Sequence, residues 1–184
     1  SANLLEVGQT LYVPSSGTAS NANNTTSNNN GDMIIYWLGS SNPVSASSLE
    51  VGCETYLTPY QSTTPRSGDA ENDIRTALTI LFNLQDEDVN TARNHWNDFG
   101  LTVGDVSISN GQATVEILGE GFLLGGVCSD PEISAQVLLI VFADPSVQTA
   151  LITVDGRNLL QSLDMSGRSG EDAIFTRASL PDDF

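Results

Sequence analysis

Residues 101–117, LTVGDVSISNGQATVEI, contain the strongest local folding signal in the chain. Apolar residues recur mostly at alternate positions on both sides of Asn110-Gly111, which is the pattern of two half-buried strands. An Asn-Gly pair readily adopts the two positive φ angles of a type I′ turn, whose twist matches that of paired antiparallel strands. The stretch therefore predicts a β-hairpin.

A helix is predicted on each side of this hairpin. Upstream, Asp69 can cap a helix that runs to about Leu84, and its apolar residues share one stripe: Ile74, Ala77, Leu78, Leu81 and Phe82. Downstream, Asp130-Pro131-Glu132 has the residue types of a helix start, with Asp130 as the N-cap. The start signal and the length favour a helix over 133–142, although its β-branched residues also fit a buried strand.

Further strands are expected on both sides of the helix-hairpin-helix segment. Residues 33–38, MIIYWL, are apolar and β-prone, and residues 51–57 alternate so as to place Cys53 on the inner face of a strand. Residues 147–154 form the last strand, with 159–163 as a following hairpin arm. The remaining segments are expected to be connectors or irregular: 39–49, 59–68, 86–100, 119–126 and the last twenty residues.

The N-terminal tract 15–31, SSGTASNANNTTSNNNG, contains no charge and no aliphatic side chain larger than Ala. Such a segment cannot bury enough apolar area to offset the entropy lost on ordering. We therefore expect residues 1–31 to be a flexible Asn/Ser/Thr-rich tether or loop, 32–168 to be the folded domain and 169–184 to be an irregular tail.

The charge balance excludes two classes of partner. The chain has 184 residues, 23 of them acidic and 6 basic, all six being Arg, so its formal net charge is -17. Binding to nucleic-acid phosphates or to anionic lipid needs clustered basic residues, which are lacking. Hydrophobic residues make up 39% of the chain, enough for one packed core. No apolar run approaches the roughly 18 residues of a membrane-spanning helix.

Two cysteines, Cys53 and Cys128, lie 75 positions apart and form no CxxC pattern. A disulfide between them would close a long loop and stabilise the fold by roughly 4 kcal/mol in the chain-entropy model. Two buried free thiols are the alternative. The polar tract, of a kind that often tethers extracytoplasmic domains, favours the disulfide.

Candidate catalytic and ligand-binding residues are few. The sole histidine, His95, comes without the GxSxG elbow of a serine hydrolase, so we expect a polar loop residue. Residues 86–88 lack the spacing of an EF-hand and are expected to be a solvated acidic loop. The Gly-rich segment 119–126 is not a phosphate-binding loop, and Asp130 and Glu132 would repel a phosphate there. We expect no catalytic residue, no metal and no cofactor.

The pieces 73–82, 101–117 and 132–163, in this order, resemble the sporulation and spore germination (GerMN) domain family. The shared features are a hairpin with an Asn/Asp-Gly turn, a long apolar helix and a strand ending in Val-Asp-Gly, here 154–156. The strand MIIYWL also resembles the first strand of the family, so the resemblance covers about 32–168. The Ser/Pro-rich insertion at 39–49, the cysteine pair and the long polar stretch 86–100 depart from it.

The resemblance and the element order imply an α+β fold: a small mixed or antiparallel sheet with two helices packed on one face, similar to ring-building modules. The family implies a place outside the cytoplasmic membrane, often in lipoproteins, and supplies no catalytic residue. We therefore expect a secreted or surface-anchored envelope protein, not an enzyme, with a lipid anchor upstream of Ser1. Its partner would be another envelope protein or a second copy, as in sporulation or germination assemblies.

The alternative is an envelope domain that binds or hydrolyses peptidoglycan or polysaccharide. Such a domain would have a cleft in which Trp96, Tyr56 or Tyr60 flanks two carboxylates. An interaction module would instead expose a sheet edge or helix face and have no convergent polar pocket. These two signatures separate the hypotheses.

Overall fold

The computed structural model describes residues 31–38, 48–51, 53, 55–85, 93–119, 126, 128–177 and 180. The strands are β1 (Asp32–Leu38), β2 (Leu49–Val51), β3 (Thr55–Pro65), β4 (Thr102–Ser109), β5 (Gln112–Leu118), β6 (Thr149–Val154), β7 (Arg157–Asn158) and β8 (Phe175–Thr176). The helices are α1 (Ala70–Asn83), α2 (Ser129–Val141) and α3 (Leu159–Leu163). The predicted tether, except Gly31, lies outside the described residues, and the domain boundaries remain predictions.

The α+β class is confirmed, with the strands divided between two sheets. The first sheet has the order β1-β3-β2 and is antiparallel throughout. In the second sheet, β4 pairs antiparallel with β5, and β5 pairs parallel with β6. The short strands β7 and β8 both pair with β6. The first three strands therefore form a sheet of their own, which the element order did not predict.

Helix α1 begins and ends close to where its sequence predicts. The Asp69 carboxylate accepts a hydrogen bond from the backbone N–H of Asn72 at 3.0 Å, which caps the N-terminus. Glu71 and Asp73 in the first turn interact favourably with the positive end of the helix dipole. All five residues of the predicted apolar stripe are buried.

Helix α2 is apolar almost all round. Eight of its thirteen residues are buried: Glu132, Ile133, Ala135, Gln136, Val137, Leu138, Ile140 and Val141. A helix of this kind must be covered on more than one side. The second sheet shares the main core with it, and the first sheet packs Val51 and Leu57 against Ala135. Burial on both sides explains why this helix is rich in residues that also suit a strand.

The start of α2 differs by two residues from the prediction. The N-cap is Cys128 rather than Asp130, and the helix begins at Ser129. The Asp130 carboxylate accepts a hydrogen bond from the backbone N–H of Gly126 at 2.9 Å. Asp130 therefore fixes the segment that enters the helix instead of capping the helix itself.

The predicted hairpin is confirmed. Asn110 and Gly111 have φ angles of 52° and 79°, as a type I′ turn requires. The register of β4 and β5 shifts between Val103 and Val106. In this irregular segment a Cβ on Gly104 would lie 2.5 Å from Glu116 Oε2, so glycine allows the close approach.

Three local predictions were wrong. Strand β3 continues to Pro65 through residues expected to be a connector, because pairing with β1 overrides their turn-like composition. Cys53 lies exposed in the turn between β2 and β3, with a φ of 45°, rather than on the inner face of a strand. Residues 159–163 form α3 instead of a hairpin arm, because the Asn158 side chain accepts from Gln161 N at 2.9 Å and caps a helix.

The segment that contains β8 is attached to the core by Arg177. Its Nε donates to the carbonyl of Val147 at 2.7 Å, and its Nη2 donates to the carbonyls of Phe142 and Asp144, both at 2.6 Å. The guanidinium also lies 5.5 Å from the centroid of the Phe142 ring. These contacts satisfy carbonyls that follow α2 and hold β8 beside β6, in a region expected to be irregular.

Replacing Arg177 tests this account. Arg177→Ala should lower the free energy of unfolding by about 2–4 kcal/mol, because three carbonyls lose a charged donor. Arg177→Lys should recover only part of the loss, since an ammonium group lacks the planar fork. Urea denaturation measures both variants. Arg168→Ala, at an exposed position, is the control, and equal stability of the Arg177 and Arg168 variants would contradict the account.

Candidate functional site

The structure contains the disulfide that the sequence favours. It joins Cys53 to Cys128, with their Cα atoms 5.4 Å apart. Both cysteines are exposed to solvent. The bond links Cys53, between β2 and β3, to Cys128 at the N-cap position of α2, so it connects the first sheet covalently to the central helix.

The histidine contacts a carboxylate on α2. His95 Nε2 lies 3.4 Å from Glu132 Oε2, and Glu132 is buried while His95 is half-buried. Glu132 is the hydrogen-bond partner of the ring in the part of the chain that the structure describes. The contact ties the segment before β4 to the first turn of α2.

Trp96 is part of the core. It is fully buried, its Nε1 donates to the Ile133 carbonyl at 3.1 Å, and its ring centroid lies 5.5 Å from that of Phe82. Trp96 therefore cannot flank a glycan-binding cleft, and that part of the alternative signature was wrong. Tyr56 and Tyr60 both lie on β3 and are half-buried, and the Tyr56 hydroxyl donates to Glu50 Oε2 at 3.4 Å.

A shallow hollow lies between β1, α1 and α2. It is lined by apolar residues of these elements and by three charged side chains: Arg66, Asp73 and Asp144. Its volume is only about 20 Å³, room for about one water molecule. Pockets for small organic ligands usually enclose roughly 300–1,000 Å³. The hollow does not support a small-molecule site.

Other sequence candidates can be placed only in part. No group of three or more His, Cys, Asp or Glu side chains within the described ranges could hold a metal ion. The acidic residues 86–88 and most of the Gly-rich segment 119–126 lie outside those ranges. Among the helices that the structure describes, none has the length and apolar character needed to cross a membrane.

One face of the second sheet points away from the core, and we call it the outer face. Its side chains alternate along β4, β5 and β6 with those that enter the core, and none is buried: Ser107, Ser109, Gln112, Thr114, Glu116, Leu118, Thr149, Leu151 and Thr153. Ser107, Thr114 and Leu151 occupy one row across the three strands. The face thus combines hydroxyl groups with two leucines and a single carboxylate.

The edge of this sheet at β4 is blocked by α1. Glu71 Oε1 accepts a hydrogen bond from the backbone N–H of Ile108 at 2.7 Å. The guanidinium of Arg75 donates to the carbonyl of Gly104. Side chains one helical turn apart therefore occupy a donor and an acceptor that another strand would need. Glu71 and Arg75 are four residues apart, a spacing that by itself predicts an ion pair within the helix. Their contacts with the edge strand could not be predicted from this spacing.

Two aspartates organise the loops around Phe142–Val147 and Leu163–Ser169. The Ser166 hydroxyl donates to Asp164 at 2.5 Å, and the backbone N–H groups of Ser166, Arg168 and Ser169 donate to the same carboxylate. These bonds hold the pKa of Asp164 well below its usual range. The Ser146 hydroxyl lowers the pKa of Asp144 in the same way.

Tyr36 lies where the first sheet meets α2. Its backbone carbonyl accepts a hydrogen bond from Gln136 Nε2 at 3.1 Å. Burial raises the pKa of the Tyr36 phenol above its ordinary value, because the phenolate would be poorly solvated there. The phenol is therefore neutral at physiological pH.

Comparison with known proteins gives one distant similarity. No family model and no curated protein matches the chain. A solved structure, the tandem GerMN domains of the sporulation protein GerM from Bacillus subtilis, is similar with a TM-score of 0.45 and 17% sequence identity. The similarity covers 76% of this chain and 43% of that one, so this chain spans less than half of that structure. No residue role is transferred from it.

Opening the β4 edge should reduce stability and promote association. Glu71→Ala removes the acceptor of the Ile108 N–H, and we expect a loss of about 1 kcal/mol of unfolding free energy together with faster aggregation. Urea denaturation and light scattering measure the two effects. Glu171→Ala, at an exposed position, removes the same charge as a control. Identical behaviour of the two variants would contradict the blocked edge.

The Asp164 loop makes a pH prediction. Because the folded pKa is depressed, the ionised carboxylate stabilises the fold above the unfolded value of about 3.9, and this contribution is lost as the pH falls through the folded pKa. NMR titration should therefore find Asp164 ionised below that value. Ser166→Ala should raise the pKa of Asp164 and leave Asp144 unchanged, whereas Ser146→Ala should do the reverse. An ordinary pKa for Asp164 in the unmodified protein would refute the hydrogen-bond assignment.

Proposed function

We propose that the chain is a non-catalytic interaction module of a bacterial envelope protein, working outside the cytoplasmic membrane and mediating protein–protein assembly. The observation that carries this proposal is the outer face. Its three strands present a solvent-accessible mixture of Ser, Thr and Leu side chains, while the opposite side of the same strands lies in the core. Anchoring as a lipoprotein and a role in sporulation or germination complete the proposal and come from the sequence resemblance.

The location is supported by the disulfide. Bonds of this kind persist in oxidising compartments and are rare where thiol buffers keep cysteines reduced. The bond between Cys53 and Cys128 connects exposed residues, so thiol buffers of a reducing compartment would reach it. An extracytoplasmic site accounts for its survival.

The non-catalytic role is supported by how the reactive residue types are used. His95 contacts Glu132, Trp96 fills the core and the two cysteines are bonded to each other. Each of these contacts links α2 to another part of the fold. These side chains thus all make contacts that stabilise the fold. The exposed face of the second sheet remains as the candidate functional surface.

The charge and size of the outer face define its partner. A chain of net charge -17 favours a neutral or basic protein surface, or a second copy under conditions that screen repulsion. Three strands span about 10 Å and six residues about 20 Å. Such a patch is smaller than the roughly 800 Å² that each partner contributes to a standard interface. Single contacts should therefore be weak, and repeated contacts would be needed for stable assembly.

Sedimentation velocity tests whether the outer face binds a second copy of the chain, because it measures self-association directly. We expect reversible association that increases with protein concentration and is stronger in about 1 M salt than in about 0.01 M salt, where the Debye lengths are about 3 Å and 30 Å. Thr114→Glu adds a charge at the centre of the outer face. It should weaken association about tenfold, through desolvation and like-charge repulsion.

Thr79→Glu is the matched control, because it adds the same charge at an exposed position on α1. It should change the association constant by less than about twofold. Equal weakening by both variants would show a general charge effect and contradict the outer face as the contact. A monomer under every condition would refute self-association.

A further inference from the structure

The disulfide connects the first sheet to α2 at an end of the sheet that makes only modest noncovalent contacts with this helix. Cys53 lies at the end of the first sheet and Cys128 at the start of α2, and both are exposed. The φ angle of Cys53 is 45°, in the left-handed region that residues with a Cβ seldom adopt. Cys53 is therefore exposed and has an unfavourable backbone conformation.

The noncovalent contacts at this end of the first sheet are modest. Val51 and Leu57 pack with Ala135 of α2 in a small cluster separate from the main core, with Leu49 and Leu139 at its margin. By contrast, Met33 and Ile35 anchor β1 in the main core. The first sheet is thus firmly attached along β1 and only lightly attached at the β2–β3 end.

The same interface contains a buried polar atom that has no hydrogen-bond partner in the described part of the chain. Gln136 is completely buried, and its Nε2 donates to the Tyr36 carbonyl, but its Oε1 has no hydrogen-bond partner among the residues that the structure describes. An unsatisfied buried acceptor lowers the stability of the packed state, since the same atom would bind water if the interface opened. The Oε1 of Gln136 therefore offsets part of the stability that its Nε2 hydrogen bond gives to this interface.

From these observations we propose that the Cys53–Cys128 disulfide is a redox-controlled clamp. Reduction releases the β2–β3 end of the first sheet from α2 and leaves the rest of the domain folded.

The reductant is a dithiol protein with paired cysteines, of the thioredoxin type. Its thiolate attacks one of the two sulfurs, which breaks the Cys53–Cys128 bond and forms a mixed disulfide. Its second thiol then attacks the mixed disulfide and displaces the cysteine that is still bound in it, which forms the disulfide of the reductant. Two electrons and two protons pass to the chain, which leaves with two thiols, and the reductant leaves with one disulfide. Exposure of both cysteines gives the attacking thiolate access.

Hydrogen exchange on the oxidised and reduced protein tests the clamp. The oxidised chain is incubated with reduced thioredoxin under native conditions, and mass spectrometry after alkylation counts the freed thiols. Peptides covering 49–57 should then exchange at least about tenfold faster, because opening exposes their amides. Peptides covering β5 and β6 should change by less than about twofold.

The double variant Cys53→Ser/Cys128→Ser is the control. Without reductant it should exchange as the reduced protein does, and thioredoxin should have no further effect on it. A disulfide that resists thioredoxin in the folded protein would overturn the proposal. Unchanged exchange over 49–57 after reduction would also overturn it, as would loss of protection throughout the chain, which would indicate a purely structural crosslink. If the double variant fails to fold, hydrogen exchange on the oxidised and reduced wild-type chain still tests the proposal.

Discussion

Burial of helix α2 is the constraint on which the rest of the structure depends. An amphipathic helix needs one covering layer, but α2 carries apolar residues around most of its circumference. The second sheet, α1 and strand β1 supply the main core, and β2 and β3 of the first sheet cover the remaining side through Val51 and Leu57. The disulfide, the Trp96–Ile133 hydrogen bond and the His95–Glu132 contact all attach other segments to this helix. Substitutions on α2 should therefore affect both sheets together.

Short sequence motifs correctly predicted the elements that are stabilised by contacts within the element itself. The Asn110-Gly111 turn fixes the hairpin, and the cap at Asp69 with its apolar stripe fixes α1. Predictions failed where contacts between residues far apart in the sequence determine the structure. Strand β3 extends through turn-like residues because β1 pairs with it, and the tail contains β8 because Arg177 reaches carbonyls some thirty positions earlier. The separate first sheet follows from covering α2, which only the three-dimensional packing reveals.

The candidate site was less predictable than the fold. Alternation in 101–117 indicates which side chains share a face, but it does not show which face the helices cover. The pairing of Cys53 with Cys128 was favoured from the sequence, whereas its exposure was not, because Cys53 was assigned to an inner strand face. An interaction module was expected to expose a sheet edge or a helix face, and the edge at β4 is not open, because Glu71 and Arg75 bind backbone groups of this edge strand. Helical spacing gives no indication of a contact with a strand that follows later in the chain.

Hydroxyl-radical footprinting at increasing protein concentration tests the central claim, that the outer face of the second sheet is the binding surface, most directly. In high salt, the oxidation of Leu118 and Leu151 should fall as association proceeds, since both leave contact with water. Met165, of which 86% is exposed, follows α3 and is not a residue of the outer face, so it serves as the internal reference and should keep its oxidation rate. Association with unchanged oxidation of both leucines would contradict the account.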